Sequence, residues 1–520
     1  MKESRRLYYW LILGVLSAVF VFFISLYWDF VLDDAYIAYR YSRNWVDTGD
    51  LLWNLSQDPV EGFTSFLWVL VNAAGILIGS DPVVTSKAVS GLAGLIVIFL
   101  LGRAGSKNEL GLFTIFVGGV ALSPPFAFLT SQGMETTFTA LLILCGAILS
   151  CRVIEKQNIG SIIIFYLIAF LSMLSRPDAG VFYLGVIGGI VGVISSGKGF
   201  SYVRRIIYIG LIFVLVGLSY MIWRYKYFGF CFPNPFYIKV SKGIISESGA
   251  RYVASFIIQI LLPYLVAVVI LLRDFSKRES VLTLVPSILG VALFVAYLFS
   301  VTPIQGFFWR FAFPVFPVIM FAFLRYFNGI SVLSTKNNGS RVVSVFLVGL
   351  FVIWNLQHLP STLSVMKTKS QYDRVAVGKA LSTFHGKMLT SEAGALPYFS
   401  GWEAVDVVGL TSEEIVHNGF SYDLLERLDP DIITLLDYPL RLYKKEAYKI
   451  IDRYMTNNQF IAVAAIQKTS GKYHYYFVNN NSRIYKDLVR CLRNVSGVEY
   501  GNLKKLLGGY TMVSISSEDI

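Results

Sequence analysis

The pattern of apolar and polar positions divides the chain into two parts. Between residues 7 and 359, apolar runs recur at 7–27, 63–79, 86–102, 110–123, 134–151, 160–175, 178–195, 206–223, 252–272, 282–300, 311–327 and 342–359, separated by short polar stretches. Runs of this length suit helices that cross the ~30 Å hydrocarbon layer of a bilayer. Beyond 360 the pattern changes. Residues 372–384, 444–455 and 484–495 repeat at helical spacing, whereas 387–390, 404–408, 431–436, 460–466, 473–478 and 510–516 are short extended runs. Helices alternating with strands predict an α/β domain. The expected architecture is a polytopic α-helical membrane unit over 1–359, followed by a soluble α/β domain over 360–520.

Composition agrees with that division. The chain has 520 residues, 55% of them hydrophobic and only 15% charged, against about 25% charged in an ordinary soluble domain. Mean hydropathy is +0.60. The net charge of +12 points to membrane orientation and not to nucleic acid. Arg103/Lys107, Arg152/Lys156, Lys198/Arg204/Arg205, Arg273/Lys277/Arg278 and Lys336/Arg341 fall in alternate loops, which the positive-inside rule assigns to the cytoplasm. The run 7–27 follows Lys2, Arg5 and Arg6, lacks a small-residue cleavage site, and is read as a retained first helix with a cytoplasmic amino end. Two runs separate the acidic loop ending at Gly62 from the basic loop at Arg103, where an odd number of crossings is required. One of them must therefore be re-entrant or interfacial, and the short 63–79 run is the candidate. About 11 crossings follow, or about 13 if a segment is split, and either count leaves the C-terminal domain outside the cytoplasm.

Candidate chemistry concentrates at the outer helix ends. The stretch 29–65 carries seven acids (Asp29, Asp33, Asp34, Asp47, Asp50, Asp58, Glu61) against Arg40 and Arg43. At its centre stand adjacent aspartates, Asp33 and Asp34, directly after the first apolar run. Paired carboxylates beside a membrane are costly unless something uses them. Glu61, Glu135 and Asp178 lie at other outer helix ends, and carboxylates converging on one face suit a general base, a divalent metal site, or both. Bases also occur there against the inside-positive trend: Arg224, Lys226, Lys239, Lys242 and Arg251 in one loop, Arg176 and Arg310 at two turns. Outer cations near a bilayer fit a lipid phosphate. Aromatic residues crowd the first outer loop, as a membrane interface requires and as sugar rings also favour. Cys145, Cys151, Cys231 and Cys491 show no metal-ligand or disulfide spacing, the four histidines form no ligand set, and no P-loop, GxSxG or HExxH is present. Asn54, Asn480 and Asn494 begin Asn-x-Ser sequons, a short pattern that arises readily by chance.

An ordered series of motifs then carries a resemblance: LDDAYIAYRYSRNWVDTGDLLWN, VEGFTSFLW, SQGMETTF, SRPDAG and FGFCFPNPFYIK, with SEAGALPYFSGWEAVDVVGLTS in the tail. The chain resembles the GT-C superfamily of membrane glycosyltransferases, in particular the branch containing the mycobacterial terminal β-(1→2) arabinofuranosyltransferase and its bacterial relatives. The resemblance implies a multi-pass protein of the cell membrane that takes a sugar from a polyprenyl-phosphate donor and passes it to a glycan or glycolipid acceptor outside the cytoplasm. It puts the catalytic carboxylate at Asp33 or Asp34 without choosing between them. It assigns the donor phosphate to Arg176, Lys239 and Arg310, and the remaining substrate contacts to Glu61, Glu135, Asp178 and Tyr237. Members differ in their need for a divalent metal, so none is assigned, and no nucleotide cofactor is implied. In the tail, Glu392, Tyr398 and Asp406 either line an acceptor site or serve only as turn and strand-end residues. The competing readings are a transporter or flippase of lipid-linked intermediates, which would need charges along a mid-membrane path, and a non-catalytic glycan-binding scaffold.

Overall fold

A computed structural model describes residues 2–197, 199–239, 246–271, 281–303, 305–328, 338–368, 372–437, 445–467, 472–495, 498–499 and 514–515. Among them, nine helices are long and apolar enough to cross a membrane, from Leu7–Leu26 to Val345–Lys367. Three shorter apolar helices accompany them: Phe66–Leu77, Ile159–Ser175 and Val285–Leu298. The helix Phe66–Leu77, in the run expected to be re-entrant, has 12 residues. At 1.5 Å per residue it is about 18 Å long, too short to span the hydrocarbon layer. The helix Phe200–Phe228 turns Leu211, Ile212, Leu215 and Leu218 outward along its length. An exposed apolar surface of that extent is stable only against lipid.

Local sequence explains several ends. Asp81 accepts hydrogen bonds from the Val83 and Val84 amides and precedes Pro82 at the start of Pro82–Gly105. Ser123 does the same for Phe126 ahead of Pro124. The apolar run 110–123 does not end there: Leu110–Ala121 continues through Pro124–Ser131 as a 22-residue span, Leu110–Ser131, almost wholly buried in the bundle. Likewise the last apolar run is followed by the helix Leu359–Thr368.

The C-terminal unit is a seven-stranded mixed sheet. Its strands are β1 (Lys387–Thr390), β2 (Glu403–Asp406), β3 (Ile432–Leu436), β4 (Phe460–Gln467), β5 (Tyr473–Asn479), β6 (Val498–Glu499) and β7 (Ser514–Ile515), in the order β2-β1-β3-β5-β4-β6 with β7 also on β4. β1 is parallel to β2 and β3, and β5 is antiparallel to β3 and β4. Helices cover both faces. Leu389, Ile433 and Leu435 join Tyr448 and Ile451 on one side; Met388, Ile432 and Tyr476 join Val377 and Leu488 on the other. Adjacent residues facing opposite layers is the two-residue period of a sheet buried on both faces. The expected helices and strands are present, apart from 444, 510–513 and 516, which lie outside the described residues. The helices Ala395–Ser400, Glu413–Asn418 and Tyr422–Leu428 come in addition.

The acidic stretch 29–65 also contains a helix that its sequence pattern did not announce, Ala35–Thr48. Its aromatic face packs on the tail: Val31, Ala35, Tyr36 and Tyr39 share one apolar cluster with Ala395 and Tyr398. The two units therefore meet through a common core.

Candidate active site

Asp33 and Asp34 occupy the turn between the first membrane helix and Ala35–Thr48. The Leu32 amide donates to the Gln132 carbonyl at 2.9 Å, fastening this turn to the SQGMETTF segment, and the Tyr36 and Ile37 amides donate to the Asp33 and Asp34 carbonyls. The two carboxylates then part. Asp33 is buried and faces the tail, where Oδ2 accepts from the Gly394 amide at 3.1 Å and Oδ1 from the Ala395 amide at 3.0 Å. Arg374 holds Oδ1 at 3.1 Å. A β-carbon on Gly394 would lie 2.1 Å from the Asp33 carbonyl oxygen, so this approach requires glycine. Asp34 is half-buried and, among the described residues, its carboxylate makes no hydrogen bond or ion pair and does not cap its own helix.

Arg374 is the hub of that junction. Its buried guanidinium also lies 2.6 Å from Glu392 and 3.8 Å from Asp373, whose second oxygen is 3.5 Å from His474 Nδ1. Burial pushes the Asp33 carboxyl up from its ordinary value; Arg374 pulls it back, and Glu392 raises it again. Glu392 is thus tied into the junction. Asp406 accepts from the Val408 and Leu410 amides in a strand-end turn. The Tyr398 ring lies against Tyr36 and under the Arg43 guanidinium.

Other bonds complete the seam. Arg40 donates to the carbonyls of Trp53, Pro397 and Trp402 at 2.7–2.8 Å. Asn54 accepts from the Ala404 amide at 3.0 Å and donates to its carbonyl at 3.1 Å, so its side-chain amide pairs with the β2 edge as a further strand would. Asn54 is buried, which removes its sequon from consideration in the folded protein.

A second group forms around Arg176. Pro177 prevents the preceding helix from continuing, and Arg176 leaves it extended, at φ −151°. Its guanidinium binds Asp178 through Nε to Oδ1 at 3.0 Å and Nη2 to Oδ2 at 2.5 Å, and stands 3.7 Å from Glu135. Arg310 is close by: both guanidiniums lie 5.3 Å from the Phe311 ring. Arg310 follows a strained strap in which Gln305, Phe308 and Trp309 all have positive φ. The strap is tied by Trp309 Nε1 to Ser255 and by the Phe311 amide to the Tyr252 hydroxyl. Arg310 is 5% exposed, and among the described residues its Nε and Nη1 have no hydrogen-bond partner. Arg176 is thus matched by two carboxylates, whereas Arg310 is a buried cation with donors unspent. Packed rings run from this group toward the aspartates: Phe30 stacks 4.9 Å from Phe128, which meets Phe308 edge-on at 5.2 Å.

Glu61 and Tyr237 are elsewhere. Glu61 is buried against Arg224 at 2.6 Å, and its carbonyl accepts from the Asn234 amide at 3.0 Å. Burial pushes its carboxyl up to about 7, with Arg224 opposing. Tyr237 is exposed on the short helix Asn234–Lys239, edge-on to His417 at 4.9 Å. The side chain of Lys239 lies outside the described residues. The structure thus gathers Glu135, Arg176, Asp178 and Arg310, and leaves Glu61 with Arg224 and Tyr237 beside the tail. Among the described residues no cluster of three or more His, Cys, Asp or Glu side chains is arranged to hold a metal ion. Arg374 was missed at the sequence level because nothing in QYDRVAVGKAL marks it apart from other charges on an amphipathic helix.

Residues 364–478 match a family described as a Domain of unknown function (DUF8728). No curated protein matches the sequence. Solved structures do share the fold. ArnT from Cupriavidus metallidurans in the apo state aligns with a TM-score of 0.61 at 14% identity, over 90% of this chain and 97% of that one. The same protein bound to undecaprenyl phosphate gives 0.60 at 12%, over 91% and 98%. The Archaeoglobus fulgidus oligosaccharyltransferase tethered with an acceptor peptide gives 0.51 at 11%, over 91% and 74%. The chain is therefore similar in fold, along nearly its whole length, to membrane proteins of the GT-C architecture: a helical bundle followed by a C-terminal sheet domain.

Proposed function

We propose that this protein is a membrane glycosyltransferase that moves a sugar from a polyprenyl-phosphate donor to a cell-envelope glycan or lipid on the extracytoplasmic face, with inversion at the anomeric carbon. The observation that carries the reading is the buried Arg310 guanidinium with two unpartnered nitrogens beside Arg176. A buried charge without a counter-ion is costly, and a ligand phosphate would supply the missing partner. The fold shared with ArnT, one structure of which holds undecaprenyl phosphate, supports the same donor class. The motif series resembles the arabinofuranosyltransferase branch, and no observed residue requires that sugar.

The chemistry is a single displacement. Asp34, whose carboxylate is uncommitted, takes the proton of an acceptor hydroxyl. That oxygen bonds to the anomeric carbon as the bond from this carbon to the phosphate oxygen breaks. The polyprenyl phosphate departs with the electron pair, and Arg310 and Arg176 stabilise the added charge. Lys239 belongs to the same proposed phosphate contacts. Asp33 acts as a positioning residue that fixes the turn against the tail. Glu135 and Asp178 orient Arg176, and Glu61 holds the VEGF segment through Arg224. The amino terminus is then cytoplasmic and the sheet domain outside.

The test is complementation. Surface glycans of a strain lacking the protein, compared by mass spectrometry, lose one sugar unit. Wild type restores it, while D34N and R310Q inserted at equal levels do not. Full restoration by both variants would overturn the reading.

A further inference from the structure

A cavity of about 560 Å³ opens where three segments meet: Gln57–Val60 of the first outer loop, Phe230 after the long helix Phe200–Phe228, and the tail around the helix Glu413–Asn418. It shares no lining residue with the Asp33/Asp34 turn or the Arg176/Arg310 group, and its volume is in the range of small-ligand sites. Its charge is one-sided. Asp58, Glu413 and Glu414 line it, and among the described residues no lysine or arginine does; Arg427 meets Glu414 at 2.5 Å from outside the lining. Such a lining repels a phosphate. Two aromatic rings line it: Phe230 and His417, which stack on each other at 4.1 Å and 11°, with Tyr237 edge-on to His417 at 4.9 Å. Thr411, 3% exposed, lines the same space, and among the described residues its Oγ1 has no hydrogen-bond partner. A buried hydroxyl left unsatisfied costs stability unless a ligand answers it.

Carboxylate acceptors, a buried hydroxyl and an aromatic plane are together the complement of a sugar ring, whose hydroxyls donate at the edge and whose C–H face is apolar. We infer that this cavity is a second carbohydrate site, holding a neutral stretch of the acceptor glycan apart from the point of transfer. This rests on the glycosyl-transfer reading above and adds to it the class of acceptor, an oligosaccharide rather than a bare lipid.

The experiment uses the full chain in lipid nanodiscs and saturation-transfer NMR with cellotetraose, maltotetraose, mannotetraose, xylotetraose and arabinotetraose, with tetralysine and a polyprenyl phosphate as comparison probes. At least one tetrasaccharide binds. H417A and E413Q weaken it about tenfold, the scale of one charge-assisted hydrogen bond or ring contact, and both leave polyprenyl-phosphate binding intact. T411V weakens the sugar without lowering Tm, which a purely structural hydroxyl would not do. The inference is overturned if no tetrasaccharide binds, if binding is equal in all variants, or if tetralysine is the ligand those variants lose. Loss of polyprenyl-phosphate binding by wild type, with sugar binding retained, would instead overturn the donor reading and leave the cavity standing.

Discussion

Asp33 Oδ1 and Arg374 Nη1 lie 3.1 Å apart, joining the loop after the first membrane helix to a helix of the tail. Each is buried, and each has further partners, so neither side chain is replaceable alone. Breaking a buried pair from one side costs on the order of 3–5 kcal/mol, because the survivor keeps its charge without compensation. R374M is therefore expected to lower Tm by several degrees and activity with it. D34N is expected to abolish transfer at unchanged Tm. Thermal scans of the two variants in one detergent separate them; equal Tm losses would contradict the division of labour between the aspartates.

Gly394 offers a second test of the same seam. Any β-carbon there enters Asp33. G394A is expected to destabilise by more than the ~1 kcal/mol that separates glycine from alanine on propensity alone, and in the opposite direction. Limited proteolysis between the helix Leu359–Thr368 and β1 reads the loss as faster release of the tail.

Arg310 predicts an inversion of sign between free and loaded protein. Among the described residues its guanidinium is unpaired, a burden without ligand, so R310M is expected to leave Tm unchanged or raise it. A polyprenyl phosphate at 100 times its Kd should stabilise the wild type by about 2.7 kcal/mol through mass action, and R310M should lose most of that gain. Thermal shift with and without the lipid checks both.

Glu61 gives a pH signature. Its carboxyl stands near 4.5 when exposed and is pushed up to about 7 in the fold. The folded form therefore binds the proton more tightly than the unfolded form. The stability Glu61 contributes is fully present below about 4.5 and is lost as pH rises through about 7, on the order of 3 kcal/mol across the window. The difference in stability between wild type and E61Q should shrink from pH 4 to pH 8. A flat difference would contradict the burial assigned to this carboxyl.

The sequence determined the division into a helical bundle and an α/β tail, because hydropathy and two-residue or helical periodicity are local and survive without contacts. It also singled out the polar turns Asp33–Asp34, Ser175–Asp178 and Arg310 as candidates, because polar groups at apolar helix ends stand out against their surroundings. The amphipathic helix Ala35–Thr48 was not legible, since its apolar face is an aromatic mixture equally natural to an interfacial loop. Only tertiary structure separated Asp33 from Asp34. The partners that consume the first, Gly394, Ala395 and Arg374, come from the far end of the chain, and no spacing rule predicts contacts between such distant segments. The same holds for Arg310. That a cation stands at an apolar helix end is written in the order of residues, but that it lacks a counter-ion among the described residues depends on which carboxylates fold against Arg176 instead.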